Sequence, residues 1–153
     1  MPFFFSLDAK RVKINVTELP FNALVGIQPT DDPAHLLRLP ADARYLNHIG
    51  TVHASAQLAL AEASSGQFLL RHFWSADGII PVLRRMEAKF RKPANGSITS
   101  SVTVAPEALA HLDAELSSKG RSLIAIPVEL YDESGVHTLS ATFEWFIQHD
   151  KRI

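Results

Sequence analysis

A chain of 153 residues is the size of one domain, 1–153, and can bury roughly two-thirds of the surface that its unfolded form exposes. Fifteen basic and sixteen acidic residues, spread along the chain, leave no basic field of the kind that nucleic-acid binding requires, so DNA and RNA are excluded as expected partners. The absence of cysteine removes disulfide frameworks, thiolate metal sites and cysteine nucleophiles together.

The opening Met1-Pro2-Phe3-Phe4-Phe5 is apolar but has no basic stretch before it, and Ser6, Asp8, Lys10 and Arg11 cut it short. This is unlike a secretory signal, and a cytoplasmic location is expected. No apolar run approaches the roughly twenty residues of a membrane span, and the longest candidate, around Leu58, carries Glu62 inside it; no membrane partner is expected. From Ser6 to Thr17 the pattern reads as a weak amphipathic helix or an irregular arm. Pro20 then precedes an apolar stretch, Phe21 to Ile27. The cluster Pro29-Thr30-Asp31-Asp32-Pro33 signals a turn before a second stretch, Leu36 to Leu39, and together they predict a hairpin-like pair.

Between Val52 and Phe73 alanine and leucine occupy nearly every helical face up to Ala63, so this segment predicts a helix buried almost all round. Thr51 is the expected N-cap, and Ser64-Ser65-Gly66 is expected to end or loosen the helix before Phe68. Beyond Gly78 the period changes to that of strands, over Ile79–Lys92, Ser97–Val104, Arg121–Tyr131 and Val136–Gln148. In the last of these Leu139, Ala141, Phe143, Trp145 and Ile147 face the core, while Thr138, Ser140, Thr142 and Glu144 face water. Asp132-Glu133-Ser134-Gly135 has hairpin chemistry. Between Val104 and Arg121, Pro106 suits the first turn of a short helix, Leu109, Leu112 and Leu116 share its face, and Gly120 suits its exit. One long apolar helix followed by amphipathic strands predicts an α+β fold in which a sheet covers the helix.

The chemistry concentrates between Asn47 and Glu62, in the run Asn47-His48-Ile49-Gly50-Thr51-Val52-His53-Ala54-Ser55 and on to Leu60-Ala61-Glu62. Desolvation among Leu60, Ala61 and Ala63 should raise the pKa of Glu62 towards a value useful to a base. The alternative is a helix-face glutamate that pairs with Arg71 or meets solvent. A first-turn Ala54 would offer a backbone N–H at the positive end of the helix dipole, the raw material of an oxyanion hole. Asn47 and His48 serve equally as turn residues, and His53 as a cap or packing residue. The histidines, seven in all, show no His-x3-His or His-Glu-x-x-His spacing, and no metal is expected.

This run resembles the hotdog-fold acyl-CoA thioesterases related to the phenylacetate-pathway enzyme, whose pattern is Asn-x-x-Gly-x-x-His-Gly-Gly with an Asp or Glu eight residues past the first paired glycine. The resemblance implies a hotdog fold, an antiparallel sheet wrapped around one long central helix. It also implies hydrolysis of an acyl-thioester with Glu62 as base or nucleophile, Asn47 holding the thioester or the attacking water, and the Ala54 N–H at the helix start beside His53 stabilising the oxyanion. The paired glycines are Ala54 and Ser55 here, and the strand position at which some relatives carry Ser or Thr aligns with Leu83. Two basic turns, Phe90-Arg91-Lys92-Pro93 and Ser118-Lys119-Gly120-Arg121, fall where similar enzymes contact coenzyme A. Lys92, Pro93, Lys119, Gly120 and Arg121 are the corresponding candidates for substrate binding. The expected ligand is acyl-CoA or another acyl-thioester, with coenzyme A as part of the substrate and no separate cofactor. Two other readings are a non-catalytic acyl-CoA-binding module and a hotdog enoyl-thioester hydratase or dehydratase, whose Asp-x4-His signature Asp42 and His48 miss by one residue.

Ala54 and Glu62 are eight residues apart, about 12 Å along one helix, which is too far for both to serve one carbonyl. A homodimer with antiparallel central helices, or a dimer of such dimers, is therefore expected to build each site from two chains.

Overall fold

The structure, a computed structural model, describes residues 14–73 and 78–151. The helix or arm expected over 6–17 lies mostly outside them. Within them Val16–Glu18 is a single 3₁₀ turn, capped by the Asn15 side chain, which accepts the Thr17 N–H at 3.2 Å. Next comes α1, Pro20–Val25, with proline at its start, where a missing N–H leaves no bond unmade.

The expected hairpin arms need correction here, because Phe21–Val25 is helical. Asn22 reaches back to the Val16 carbonyl (3.0 Å) and the Tyr45 hydroxyl donates to the Val25 carbonyl, so this segment finds its partners outside a strand ladder. Antiparallel pairing begins only at β1, Gln28–Pro29, which meets β2, Leu37–Leu39, through Gln28↔Arg38 and Pro29↔Leu37.

The central helix α2, Ala54–His72, runs for 19 residues without interruption, against the expected break at Ser64-Ser65-Gly66. Its serines fold back onto the helix: Ser64 Oγ donates to the Leu60 carbonyl and Ser65 Oγ to the Glu62 carbonyl, both at 2.7 Å, so neither hydroxyl competes for another backbone geometry. The helix is capped by His53 and not by Thr51, a second correction taken up below.

The remaining elements are β3 (Ile79–Phe90), β4 (Ile98–Val102), α3 (Pro106–Lys119), β5 (Arg121–Asp132) and β6 (His137–His149). The six strands form one antiparallel sheet in the order β1-β2-β4-β5-β6-β3, with α2 packed over β2, β4, β5 and β6, and this is the hotdog arrangement. The core lies between α2 and the facing side chains of β5 and β6, where Ile126↔Phe143 and Leu130↔Leu139 pair across the ladder and are fully buried. Each such large apolar side chain contributes about 1.5–3 kcal/mol relative to exposure.

The alternation in β6 holds for Leu139, Ala141, Phe143, Trp145 and Ile147, all buried. Thr138 departs from it. It was expected in water and is fully buried, its hydroxyl donating to the Leu130 carbonyl at 3.4 Å near the register shift at Leu130/Tyr131. The hairpin is held by the Asp132 carboxylate, which accepts the N–H groups of Ser134 and Val136 at 3.0 Å. Helix α3 buries Leu112 and Leu116 against β5 and ends at Gly120, whose φ of 72° is the left-handed conformation that glycine adopts without strain.

Among the described residues β3 is the long edge strand of the sheet, opposite the two-residue edge β1. Register with β6 places Leu83, Met86 and Phe90 on the same side of the sheet as α2, opposite Trp145, Phe143 and Leu139. The helix stops short of that edge, and Met86 and Phe90 remain 52% and 46% exposed.

Candidate active site

The loop into α2 is built by Asn47. Its Oδ1 accepts the N–H groups of Ile49 (3.1 Å) and Thr51 (3.0 Å), its Nδ2 donates to Thr51 Oγ1 (2.9 Å), and its backbone N–H donates to the Thr51 carbonyl (2.8 Å). Both Asn47 and Thr51 are thereby committed to the turn, which explains why Thr51 does not cap the helix. The loop is pinned from both sides, by Val52 N–H on the Ala94 carbonyl (2.9 Å) and His53 N–H on the Tyr45 carbonyl (2.7 Å).

His53 takes the cap. Its Nδ1 accepts the Ser55 N–H at 3.0 Å, while its carbonyl accepts the N–H groups of Ala56 (3.1 Å) and Gln57 (3.2 Å). That leaves the Ala54 N–H as the first-turn donor with no acceptor among the described residues, at the positive end of a nineteen-residue helix. Ala54, His53 and His48 are exposed.

Glu62 lies two turns further along α2, half-buried. Among the described residues its carboxylate makes no hydrogen bond or ion pair, Arg71 included, and burial raises its pKa above the ordinary 4.5. Ser65, whose hydroxyl holds the Glu62 carbonyl, also accepts the Trp145 indole N–H at 3.0 Å, so a buried tryptophan is fixed on this side of the helix. Leu83 sits opposite Trp145 on β3 and supplies no polar group. Gln57 is buried with its Nε2 on the Val52 carbonyl (3.3 Å) and its Oε1 without a partner.

The two basic turns stand at opposite ends of the sheet. Lys92 and Pro93 follow β3 and immediately precede Ala94, whose carbonyl holds Val52, so they lie beside the N-terminus of α2. Arg121 pairs with Gln148, whereas Phe90 pairs with Leu139; nine residues of β6 separate the two turns by about 30 Å. Lys119 is already engaged by Glu115 at 2.8 Å, and together Lys119 and Ser122 hold the Glu115 carboxyl down to about 2. One chain therefore gathers Asn47, His53, Ala54, Lys92 and Pro93 at one end, places Glu62 mid-helix, and leaves Lys119, Gly120 and Arg121 at the far end.

Asp42, the acid of the hydratase reading, caps the 3₁₀ turn Ala43–Tyr45 by accepting the Arg44 N–H at 2.9 Å. A hollow of about 750 Å³ opens on the opposite face of the sheet, among Arg38, Thr99, Tyr131 and the turns carrying Asp31 and Glu133; Glu62 and Ala54 are not part of it. Among the described residues no group of three or more His, Asp or Glu is placed to hold a metal ion, and no helix is long and apolar enough to cross a membrane.

An antiparallel six-stranded sheet over a long helix places this chain among proteins of hotdog architecture. It belongs to the family described as "Domain of unknown function (DUF4442)", whose model matches residues 23–147. A crystal structure from Pseudomonas aeruginosa described as a "probable thioesterase" superposes with a TM-score of 0.75 at 28% identity, covering 88% of this chain and 91% of that one. A Bacillus halodurans protein solved with CoA is similar at a TM-score of 0.64 and 20% identity, covering 83% and 74% of the two chains. A hypothetical thioesterase from Streptococcus pneumoniae, solved with coenzyme A, gives 0.53 and 16%, covering 76% and 80%. Comparison with curated protein sequences finds no match.

Proposed function

We propose that this protein hydrolyses acyl-thioesters of coenzyme A in the cytoplasm, as a homodimer whose two sites each draw on both chains. The observation that carries the reading is Glu62, a half-buried carboxylate with a raised pKa and no partner among the described residues, on the helix whose first N–H without a described acceptor is that of Ala54. A carboxylate in this state is suited to taking a proton from water, or to attacking the carbonyl carbon itself. The Ala54 N–H and the helix dipole then stabilise the oxyanion, and the carbon–sulfur bond breaks with release of the CoA thiolate; the proton that Glu62 took from water passes to the thiolate, or, where Glu62 attacked, water hydrolyses the acyl-Glu62 anhydride to the free acid. His53 holds the helix start that presents this donor, and Asn47 shapes the loop before it. The chemistry needs no cofactor beyond the coenzyme A portion of the substrate. The neighbours solved with CoA support that ligand class.

The dimer reading is supported by β3, a twelve-residue edge strand that among the described residues has no neighbour on one side and keeps apolar side chains exposed. Antiparallel pairing of two β3 strands across a two-fold axis sets the Ile79 end of one against the Phe90 end of the other. Such pairing carries Lys119, Gly120 and Arg121 of the partner subunit to the end of the sheet that holds Lys92 and Pro93. It also turns Glu62 of the partner subunit towards Ala54, and two such dimers could pack as a tetramer.

Release of free thiol from a panel of acyl-CoAs tests the reaction. The expected result is turnover that Glu62→Gln reduces about a hundredfold or more with the fold intact. Thermal stabilisation by acyl-CoA without any cleavage would reassign the protein as a binding module, the reading that the replacement of two family glycines by Ala54 and Ser55 favours.

A further inference from the structure

Gly66 lies in the interior of α2, four residues past Glu62, on the same face and one turn along. Glycine is the poorest helix former after proline, so its place in this helix needs a physical reason. Its backbone gives none, because Gly66 is not among the glycines with positive φ. Packing among the described residues gives none either. A Cβ added at Gly66 would stand 3.7 and 3.8 Å from Cζ2 and Cη2 of Trp145, ordinary van der Waals distances, and, its own helix aside, no other described residue has an atom within 4 Å.

The place of the missing side chain is well defined. At about 100° per residue, Glu62 points between the directions of Ser65 and Gly66, and these are the two residues that meet Trp145. Trp145 therefore stands on the Glu62 face of α2, and its hydrogen bond to Ser65 keeps its ring edge there. Beyond it lies the uncovered side of β3, with Leu83 opposite Trp145 and Met86 one pair further. A notch no larger than a methyl group thus remains between Gly66 and the edge of the Trp145 indole, one turn past Glu62 on the same face of α2 and next to the apolar side chains of β3.

Resting on the thioesterase reading, we infer that Gly66 is a specificity-determining residue: the notch between it and Trp145 receives the carbons of the acyl group next to the reacting carbonyl. It selects for apolar acyl groups larger than acetyl. The missing methyl of Gly66 is the space that the substrate fills, and helix stability is given up for it.

The test is Gly66→Ala, compared with the wild type over acetyl-, isobutyryl-, octanoyl- and phenylacetyl-CoA. The expected result is a raised Tm, since alanine favours the helix and its methyl fits against Trp145, with kcat/KM for the three larger groups falling at least tenfold relative to acetyl-CoA. A uniform change across the panel, or none, overturns the inference. So does a lowered Tm with loss of dimer, which would mean that the glycine serves close approach of a second copy. Binding is read separately, as thermal stabilisation by the same acyl-CoAs in Glu62→Gln and in Glu62→Gln with Gly66→Ala. If the wild type cleaves no thioester yet the double variant loses stabilisation by the larger groups alone, the catalytic reading fails and the notch stands. If stabilisation is independent of acyl size in both, the notch is rejected whatever the activity.

Discussion

At Glu62 the environment sets the chemistry. Burial raises its pKa, so between the ordinary 4.5 and the raised value the folded protein holds a proton that the unfolded chain has released. The contribution of this group to stability is thus fully present below 4.5 and is lost as pH rises through the folded pKa. Glu62→Gln should therefore melt above the wild type at neutral pH, with the gain vanishing near about pH 4; a gain that persists in acid would show that packing and not ionisation is responsible. If Glu62 is the proposed base, activity should rise with pH through the same folded pKa, because a base works deprotonated. Ala54 allows an equally direct test. It is the first residue of α2, the position where proline is most at home, and His53 before it has ψ of 139°, already the extended backbone that a following proline demands. Ala54→Pro should keep the fold, delete the one free N–H, and lower kcat by about a hundred- to a thousandfold. Native turnover in that variant would place the oxyanion donor elsewhere. At His53, replacement by Asp should preserve the cap and replacement by Ala should cost about 1 kcal/mol in urea unfolding.

At the scale of elements, the sheet grips the central helix through a buried hydroxyl pair as well as through apolar contact. Ser64 and Ser100 are both fully buried with Oγ atoms 2.6 Å apart, and Ser100 Oγ also accepts the Leu37 N–H at 3.1 Å, so one hydroxyl ties α2, β4 and β2 together. Ser100→Ala would leave the buried Leu37 N–H without its acceptor and take one of two partners from the Ser64 hydroxyl, and should destabilise the protein by about 1–3 kcal/mol, read from the urea midpoint at unchanged slope. Ser101, the next residue on the same strand, makes no side-chain hydrogen bond among the described residues, and its Ala variant is the matching control. A loss no larger at Ser100 than at Ser101 would remove the pair from the account of how α2 is positioned.

At the scale of the molecule, the proposed dimer is tested through the two residues it would bring together and the β3 edge it would pair. Ala54→Pro and Glu62→Gln subunits, each inactive alone, should on free exchange recover about a quarter of wild-type activity, since half the dimers are mixed and each mixed dimer has one intact site. Mixed dimers as inactive as their parents would rule out shared sites. Met86→Lys, placing a charge on the exposed inner face of the edge strand, should shift the protein towards monomer in light scattering and remove activity with it.

The alternation of β6 from Leu139 to Ile147, the Pro106 and Gly120 ends of α3, the helical character of α2 and the spacing from Asn47 to Glu62 are legible in the sequence, because each depends on neighbours within a few residues. What failed were local patterns with competing tertiary partners. Phe21–Val25 reads as strand until Tyr45 and Val16 supply its hydrogen bonds. Thr51 reads as a cap until Asn47 claims it, and Ser64-Ser65 reads as a break until the helix carbonyls and Ser100 absorb the hydroxyls. Thr138 reads as exposed until the ladder shifts beside it. The candidate site divides the same way. Residue types and their spacing along α2 follow from the chain alone, but strand order put Lys92 and Arg121 at opposite ends of the sheet, and packing alone set Trp145 against Gly66 one turn past Glu62, because those relations join residues far apart in sequence that only the folded sheet brings into register.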